Sequence, residues 1–568
     1  MNDHLLEPLK FYEKNGRESH TENAKQFFEE LLARSGVDAE QNRATAKAYR
    51  DELARANTVS QRISKYKGLR VLLILGIVVG AILAVVSIPQ FASSTGLAIG
   101  LLLGGIALVV GSILLLVKKV NPTVKTATEQ KEAHDKKAKD LLAEAKAQMA
   151  PLNTLFDEWD AITLIEKTLP EISFDRQFTK QNEAFFIQAH DFLDRQTEDC
   201  SMTDTLSGRF REDPFLFCRR VVHKMGTKTY HGTRTISWTE TYRDSKGHLR
   251  TRRRTQTLHA SVSKPCPCYH DETYLCYGSQ AAPDLSFSRE PQHSEQLSEK
   301  ELERKIRKGE KRLQEMAEHA LEDGRHFQEM ANTEFEVLFD ATNRDNEVQF
   351  RLMYTPLGQC NTVDLLTSKA GYGDDFRFVK KKRLNLIVSE HAQKWRMNAS
   401  PSHYYSYDVD EAKEKFISFN NEYFKSVFFD LAPVLAVPAY IEEPCAALEP
   451  PEEYDANFTY YEHEVMANAI GYDHFVHEDS STEAILKTKL SNKQGGTDEV
   501  AVTAYSYATA ERIDLIPVFG GDGRFHDVPV PWVEYLPRER TSIMHVSPAD
   551  GAAKEGKCFH GMVAKALE

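Results

Sequence analysis

Two apolar runs stand close together near the start of this chain, and they restrict its folding more than any other feature. Residues 69–88 read LRVLLILGIVVGAILAVVSI, and residues 96–117 read GLAIGLLLGGIALVVGSILLLV. As helices, each is long enough to cross a hydrocarbon core about 30 Å thick. Arg70 is the one charge in either run, and it sits at an end from which it reaches the interface. A core helix of a soluble protein keeps a polar face at this length, and neither run has one. The loop between them, PQFASST, carries no charge, whereas Arg62, Lys65 and Lys67 precede the first run and Lys118, Lys119 and Lys125 follow the second. Basic residues stay on the cytoplasmic side. The expected placement is therefore multi-pass in the inner (cytoplasmic) membrane, with both termini cytoplasmic and only the short loop outside.

Small residues four apart let helix backbones approach closely in lipid. Gly76 and Gly80 form one such pair, and Gly96, Gly100 and Gly104 form a double one. These five glycines are the expected helix-packing residues. They join either the two helices of one hairpin or the helices of different protomers.

The remainder reads as water-soluble. The 568 residues carry a net charge of −13, which argues against a general nucleic-acid binder. Eight scattered cysteines show no secreted disulfide framework. The expected partners are the lipid bilayer and further copies of the chain, with no nucleic acid and no cofactor. The expected fold class is α+β: a two-helix transmembrane hairpin with helical extensions, plus a large mixed α/β cytoplasmic region.

Along the chain, residues 1–67 read as cytoplasmic helices. Thr21 is placed to cap one that Gly36 closes, and a second runs from Asp38 into the membrane. The hairpin occupies 68–118. Asn121-Pro122 permits a bend, and 119–200 reads as a helical stalk, with a helix lying over the soluble part as the alternative. Residues 201–291 form an α+β domain whose clearest element is a β-hairpin at 234–262, turning at Gly247. Residues 292–335 read as one long charged helix. Residues 336–545 form a second α+β domain, with VQFRLMYT, RLNLIVSE, VAVTAYSYATA and RIDLIPVF as strands and Pro529 and Pro531 marking an edge. Residues 546–568 show little pattern.

Short stretches of the soluble part (TLHASVSKP, AAPDLSFSR, EVQFRLMYTPLGQ, GYGDDFRF, FDLAPVLAVPAY and GGDGRFHDVPVPWVEY) resemble those of uncharacterised bacterial two-span membrane proteins with a large cytoplasmic region. That resemblance implies a bacterial membrane protein and brings no known activity or catalytic residue.

Several motifs invite chemistry. Cys266, Cys268, His270 and Cys276 are zinc-type ligands, but the CxC spacing is too tight for the usual tetrahedral set, and reduced cysteines at a strand end are the alternative. GAAKEGK at 551–557 lacks the Ser or Thr that a phosphate loop needs next. His463-Glu464 is not completed to HExxH, because Ala467 and Asn468 follow, and Glu462 and Glu464 remain a bare acid/base pair. Lys246, Arg250, Arg252, Arg253 and Arg254 form a basic patch at the hairpin tip. It suits anionic headgroups, an acidic protomer face or a nucleic-acid backbone, or it is simply a charge-protected edge. The leading expectation is a membrane-anchored homo-oligomeric scaffold without enzymatic activity. The alternative is a membrane-tethered enzyme or sensor with a cytoplasmic site, serving envelope stress or phage defence.

Overall fold

A computed structural model describes residues 3–90, 95–190, 197–243, 245, 247–322, 327–394, 399–442, 458–494, 496–548, 557–559 and 562–567. In chain order the elements are helix α1 (Pro8–Phe11), α2 (Arg17–Ser35), α3 (Ala39–Gln90), α4 (Thr95–Leu115), α5 (Asn121–Leu155), α6 (Asp160–Thr168), strand β1 (Ile172–Phe174), α7 (Lys180–His190), β2 (Cys200–Phe210), β3 (Asp213–Arg243), β4 (Leu249–Gly278), β5 (Ser286–Arg289), α8 (Glu299–Glu322), α9 (Thr333–Phe339), α10 (Glu347–Met353), α11 (Pro356–Thr367), β6 (Phe376–Lys381), β7 (Leu384–Ser389), α12 (Glu390–Lys394), α13 (Val409–Leu435), α14 (Pro438–Glu442), α15 (Tyr460–Ile470), β8 (Ile485–Gln494), β9 (Thr497–Phe519), β10 (Phe525–Pro548), β11 (Lys557–Phe559) and β12 (Met562–Leu567). The fold is α+β. The chain forms two compact units, one of Met1–His20, Ala161–Ala399 and Asn421–Glu568, the other of Thr21–Asp160 and Ser400–Asn420.

The second unit is helical. Gly36, at φ 66°, ends α2 in the left-handed region, and the Asp38 carboxylate accepts from the amides of Glu40 and Gln41 at 3.0 Å to start α3. Thr21 lies inside α2 and not at its start, because the helix already begins at Arg17. Helix α3 then runs 52 residues without a break, polar first and apolar after. It packs along α4 and α5. The polar half is joined by Glu52, which meets His134 Nδ1 at 2.7 Å and Lys137 Nζ at 2.9 Å, and by Asn42, which accepts from the Val409 amide at 2.9 Å. Phe28, Phe156, Tyr404 and Phe416 pack ring to ring beneath it. The expected bend at Asn121-Pro122 is instead a π-helical turn at Leu116–Val120, and the helix continues. Pro122 has no N–H to give the carbonyl one turn back, and widening that turn relieves the ring clash. The structure thus has two helices long and apolar enough to cross a membrane, and few residues of their most apolar stretches are buried.

The other unit holds two antiparallel sheets, ordered β1-β2-β3-β4-β7-β6-β5 and β11-β12-β10-β9-β8. The hairpin read at 234–262 is far longer. Strands β3 and β4 pair from Phe215–Tyr277 to Arg243–Leu249. Strand β2 covers β3 only as far as Val222, and β7 covers β4 only from Leu275, so the far part is a two-stranded ribbon. Strands β9 and β10 do the same beyond Tyr505 and before Ile543.

The two ribbons lie face to face as a two-layered arm. Ile236, Leu258 and Val528 form the core between them, with Trp238 and Val518 packed alongside. A Cβ at Gly232 would lie 2.1 Å from the Pro529 carbonyl oxygen, so glycine is what lets the layers meet there. Lys264 pairs with Asp514 at 2.7 Å and stands 4.1 Å from the Trp532 ring centre. Pro529 and Pro531 fall where β10 pairs with β9 alone.

Three further readings change. VQFRLMYT supplies α10, because Asn346 accepts from the Gln349 amide at 3.1 Å and caps a helix there. The long charged helix is described over Glu299–Glu322, residues 327–332 are not helical, and α9 is opened separately by Asn332. The unpatterned tail adds β11 and β12 to the second sheet.

Candidate functional site

Four places carry functional groups. The first is the helix pair. A Cβ at Gly80 would lie 2.8 Å from the Gly105 carbonyl oxygen, and one at Gly76 would lie 3.0 Å from Ser112 Oγ. These glycines therefore close the hairpin on itself. Gly105, which the spacing argument passed over, supplies the opposing surface. Gly100 and Gly104 have nothing within 4 Å of their Cβ positions among the described residues. Gly96 is helical, but its surroundings lie outside the described residues.

The second is a cavity of about 620 Å³ on the sheet face beside α15, lined among others by Cys200, Arg220, His270, Tyr274, Tyr460 and Lys487. Register builds it. Cys200, Val222 and His270 lie in one row across β2, β3 and β4, and Met202, Arg220 and Glu272 lie in the next. Arg220 donates to Glu272 at 2.9 Å, and His270 Nε2 meets the same carboxylate at 3.1 Å. Burial drives the Tyr274 phenol well above its usual range. The Cys200 thiol has Thr197 Oγ1 at 2.9 Å and Arg220 Nη1 at 3.9 Å. His270 stands two strand spacings from it, roughly 10 Å, so no thiol–imidazole pair forms. Guanidinium, ammonium and phenol groups at one mouth suit a small anionic ligand.

The third is a cavity of about 370 Å³ lined by His293, Tyr372, Asp375, Glu390, His391 and Glu422. His391 is buried between Asp375 (Nδ1 at 2.7 Å) and Asp430 (Nε2 at 3.3 Å), with Tyr372 stacked on its ring at 3.8 Å. Burial alone lowers the imidazole pKa. Asp430 and Asp375 outweigh it and raise the value to about 10. The ring is an imidazolium at neutral pH and no general base.

The fourth is the arm. Arg250, Arg252, Arg253 and Arg254 are exposed near the tip of β4, and Lys246 lies outside the described residues. Arg252 and Arg254 pair with Glu240, and Arg253 donates to Ser237 Oγ at 3.1 Å. Beside them is a feature the sequence reading missed. Ile513, Leu515, Pro517, Phe519, Phe525, Pro529 and Pro531 share the outward face of β9 and β10, and all are exposed. The signal was present in RIDLIPVF, where apolar residues occupy both parities of the strand.

The other motifs come apart. Cys266 and Cys276 are ten residues apart on one extended strand, roughly 33 Å, so they cannot share an ion. Cys276 is buried, and burial pushes its thiol up to about 12. No group of three or more His, Cys, Asp or Glu side chains fit for a metal occurs among the described residues. Glu462 and Glu464 are buried structural acceptors. Glu462 takes the Phe178 amide at 2.7 Å, while Glu464 takes the Met202 amide at 2.8 Å and Lys487 Nζ at 2.6 Å. His463 meets Asp498 at 3.1 Å. GAAKEGK lies outside the described residues except Lys557, which opens β11. No protein-family model, curated protein or solved structure matches the chain.

Proposed function

We propose that this is a membrane-anchored assembly protein, a bacterial scaffold that works as a homo-oligomer. On this reading the two helices span the inner membrane, and both termini and the soluble bulk are cytoplasmic, as the flanking lysines and arginines favour. The observation that carries the oligomer is the split use of the small residues. Gly76, Gly80 and Gly105 are consumed inside the hairpin, while Gly100 and Gly104 present a second small-residue face with nothing against it among the described residues. Packing, not hydrophobicity, drives association in lipid, so such a face gains most from another helix. The test is particle mass in mild detergent and in lipid nanodiscs. A discrete assembly that falls to monomers in Gly100→Leu/Gly104→Leu supports the proposal, and a monomer in both media rejects it.

The cavity beside Arg220 and Lys487 favours a second reading, a membrane-tethered enzyme or sensor for a small anion. Native mass spectrometry of the purified protein decides it. A bound small molecule lost in Arg220→Ala favours this reading.

A further inference from the structure

The geometry points to the arm as a second membrane contact: the outward face of β9 and β10, with the arginines of β4, beds onto an anionic bilayer surface. This rests on the membrane-anchored reading above but not on the oligomer.

The face itself comes first. Phe519 pairs with Phe525, Leu515 with Pro529 and Ile513 with Pro531, so these side chains share one side of the ribbon. They are 59%, 70%, 62% and 65% exposed at Phe519, Phe525, Leu515 and Ile513. An unpartnered apolar patch of this kind marks a contact surface. The opposite side of the arm is polar: Thr233, Thr235, Ser237, Thr239, Thr255 and Thr257 cover it.

The charges come second. The β3–β4 hairpin overshoots the turn at Gly520–Gly523, since that turn already meets Ile236, Trp238 and Gln256. Past it, Tyr242, Arg250 and Arg252 sit on the side of β3 and β4 that the other ribbon covers lower down. They therefore look the same way as the apolar face, one layer behind it. Layers in a stacked pair are roughly 10 Å apart. An interfacial element buries its apolar side about 5–10 Å deep and leaves arginine and tyrosine at the headgroups. Between residues 239 and 254 six basic residues stand against Glu240 and Asp244, in a chain that is acidic overall. Asp527, opposite Pro517, and Glu511, opposite Val533, are carboxylates on this face, which suits headgroup depth and not the acyl chains.

A second copy is the competing occupant. Adding a strand is blocked along this ribbon. The ladder runs unbroken through Pro517, Pro529, Pro531 and Pro537, so each occupies a position whose missing amide would have pointed outward. Anchoring by α3 and α4 also holds the arm at high effective concentration near a bilayer.

The test uses the full chain in proteoliposomes with a polarity-sensitive dye on Phe525→Cys, or on Thr235→Cys from the polar side. Vesicles contain phosphatidylcholine alone or with phosphatidylglycerol. The expected result is a blue shift at 525, quenched by lipid-borne nitroxide, only with phosphatidylglycerol, while 235 stays wet. Arg250→Gln and Arg252→Gln each weaken docking about fivefold, whereas Arg253→Gln, on the polar side, does not, and salt reverses docking. A dye at 525 that stays wet in both vesicles overturns the inference. So does a dye that is shielded equally in detergent, which would assign the face to another copy. Particle mass on the same samples tells this failure from failure of the oligomer.

Discussion

At the scale of single residues, two buried ionisable groups make the protein's stability fall as pH rises, each over its own pH window. Asp160 is pushed up to about 7 by burial, from 3.8 in an open chain. Between those values the folded chain holds a proton that the unfolded chain has released, so stability falls as pH rises from about 4 to about 7 and then levels. Asp160→Asn is expected to match the parent near pH 4 and to melt at a higher temperature near pH 7.5, read by thermal unfolding in detergent. His391 lies near 10 in the fold and 6.5 outside it. Its contribution is complete below 6.5 and is lost as pH climbs toward 10. His391→Gln leaves Asp375 and Asp430 buried together without their cation and is expected to cost about 3 kcal/mol at pH 7. An unchanged melting curve for this variant would remove the ion triad from the account. Neither effect was readable beforehand. Asp160 looks like any acid at a helix start, and His391 meets Asp430 only because α13 crosses it in the fold.

At the scale of elements, the hairpin glycines make a paired prediction. Gly80→Leu drives a side chain into the Gly105 carbonyl, and forced overpacking of this sort costs roughly 1–3 kcal/mol. Gly100→Leu meets open space among the described residues. The first variant should lower the melting temperature of the detergent-solubilised monomer and the second should not. A reversed order would mean that the helices pack on other faces. Elements governed by local signals were legible: the apolar helices, the cap at Asp38, and the turn at Gly247. Elements governed by partners were not. VQFRLMYT alternates like a strand, yet Asn346 and the packing of Phe350 hold it as helix α10. MVAKAL is too short to declare itself and becomes a strand because β10 offers it an edge. The arm's apolar face was hidden because alternation identifies one buried side and says nothing when both sides are apolar.

For the whole molecule, composition and the two apolar runs were enough to anticipate an α+β chain with two helices long and apolar enough to cross a membrane, but not the discontinuous units or the stacking of two distant hairpins. The latter joins residues nearly 300 positions apart, as when Arg234 donates to the Asp527 carbonyl oxygen at 2.7 Å. The unbroken course of α3 has one more consequence. From Gly80 back to the end where Arg50 grips Asp408 the helix runs roughly 45 Å without a break. A tilt of about 10° at the glycine contacts therefore swings that end by roughly 8 Å. Helix α3 is a lever with its fulcrum at Gly80, and whatever resettles that contact is felt at the far end as displacement.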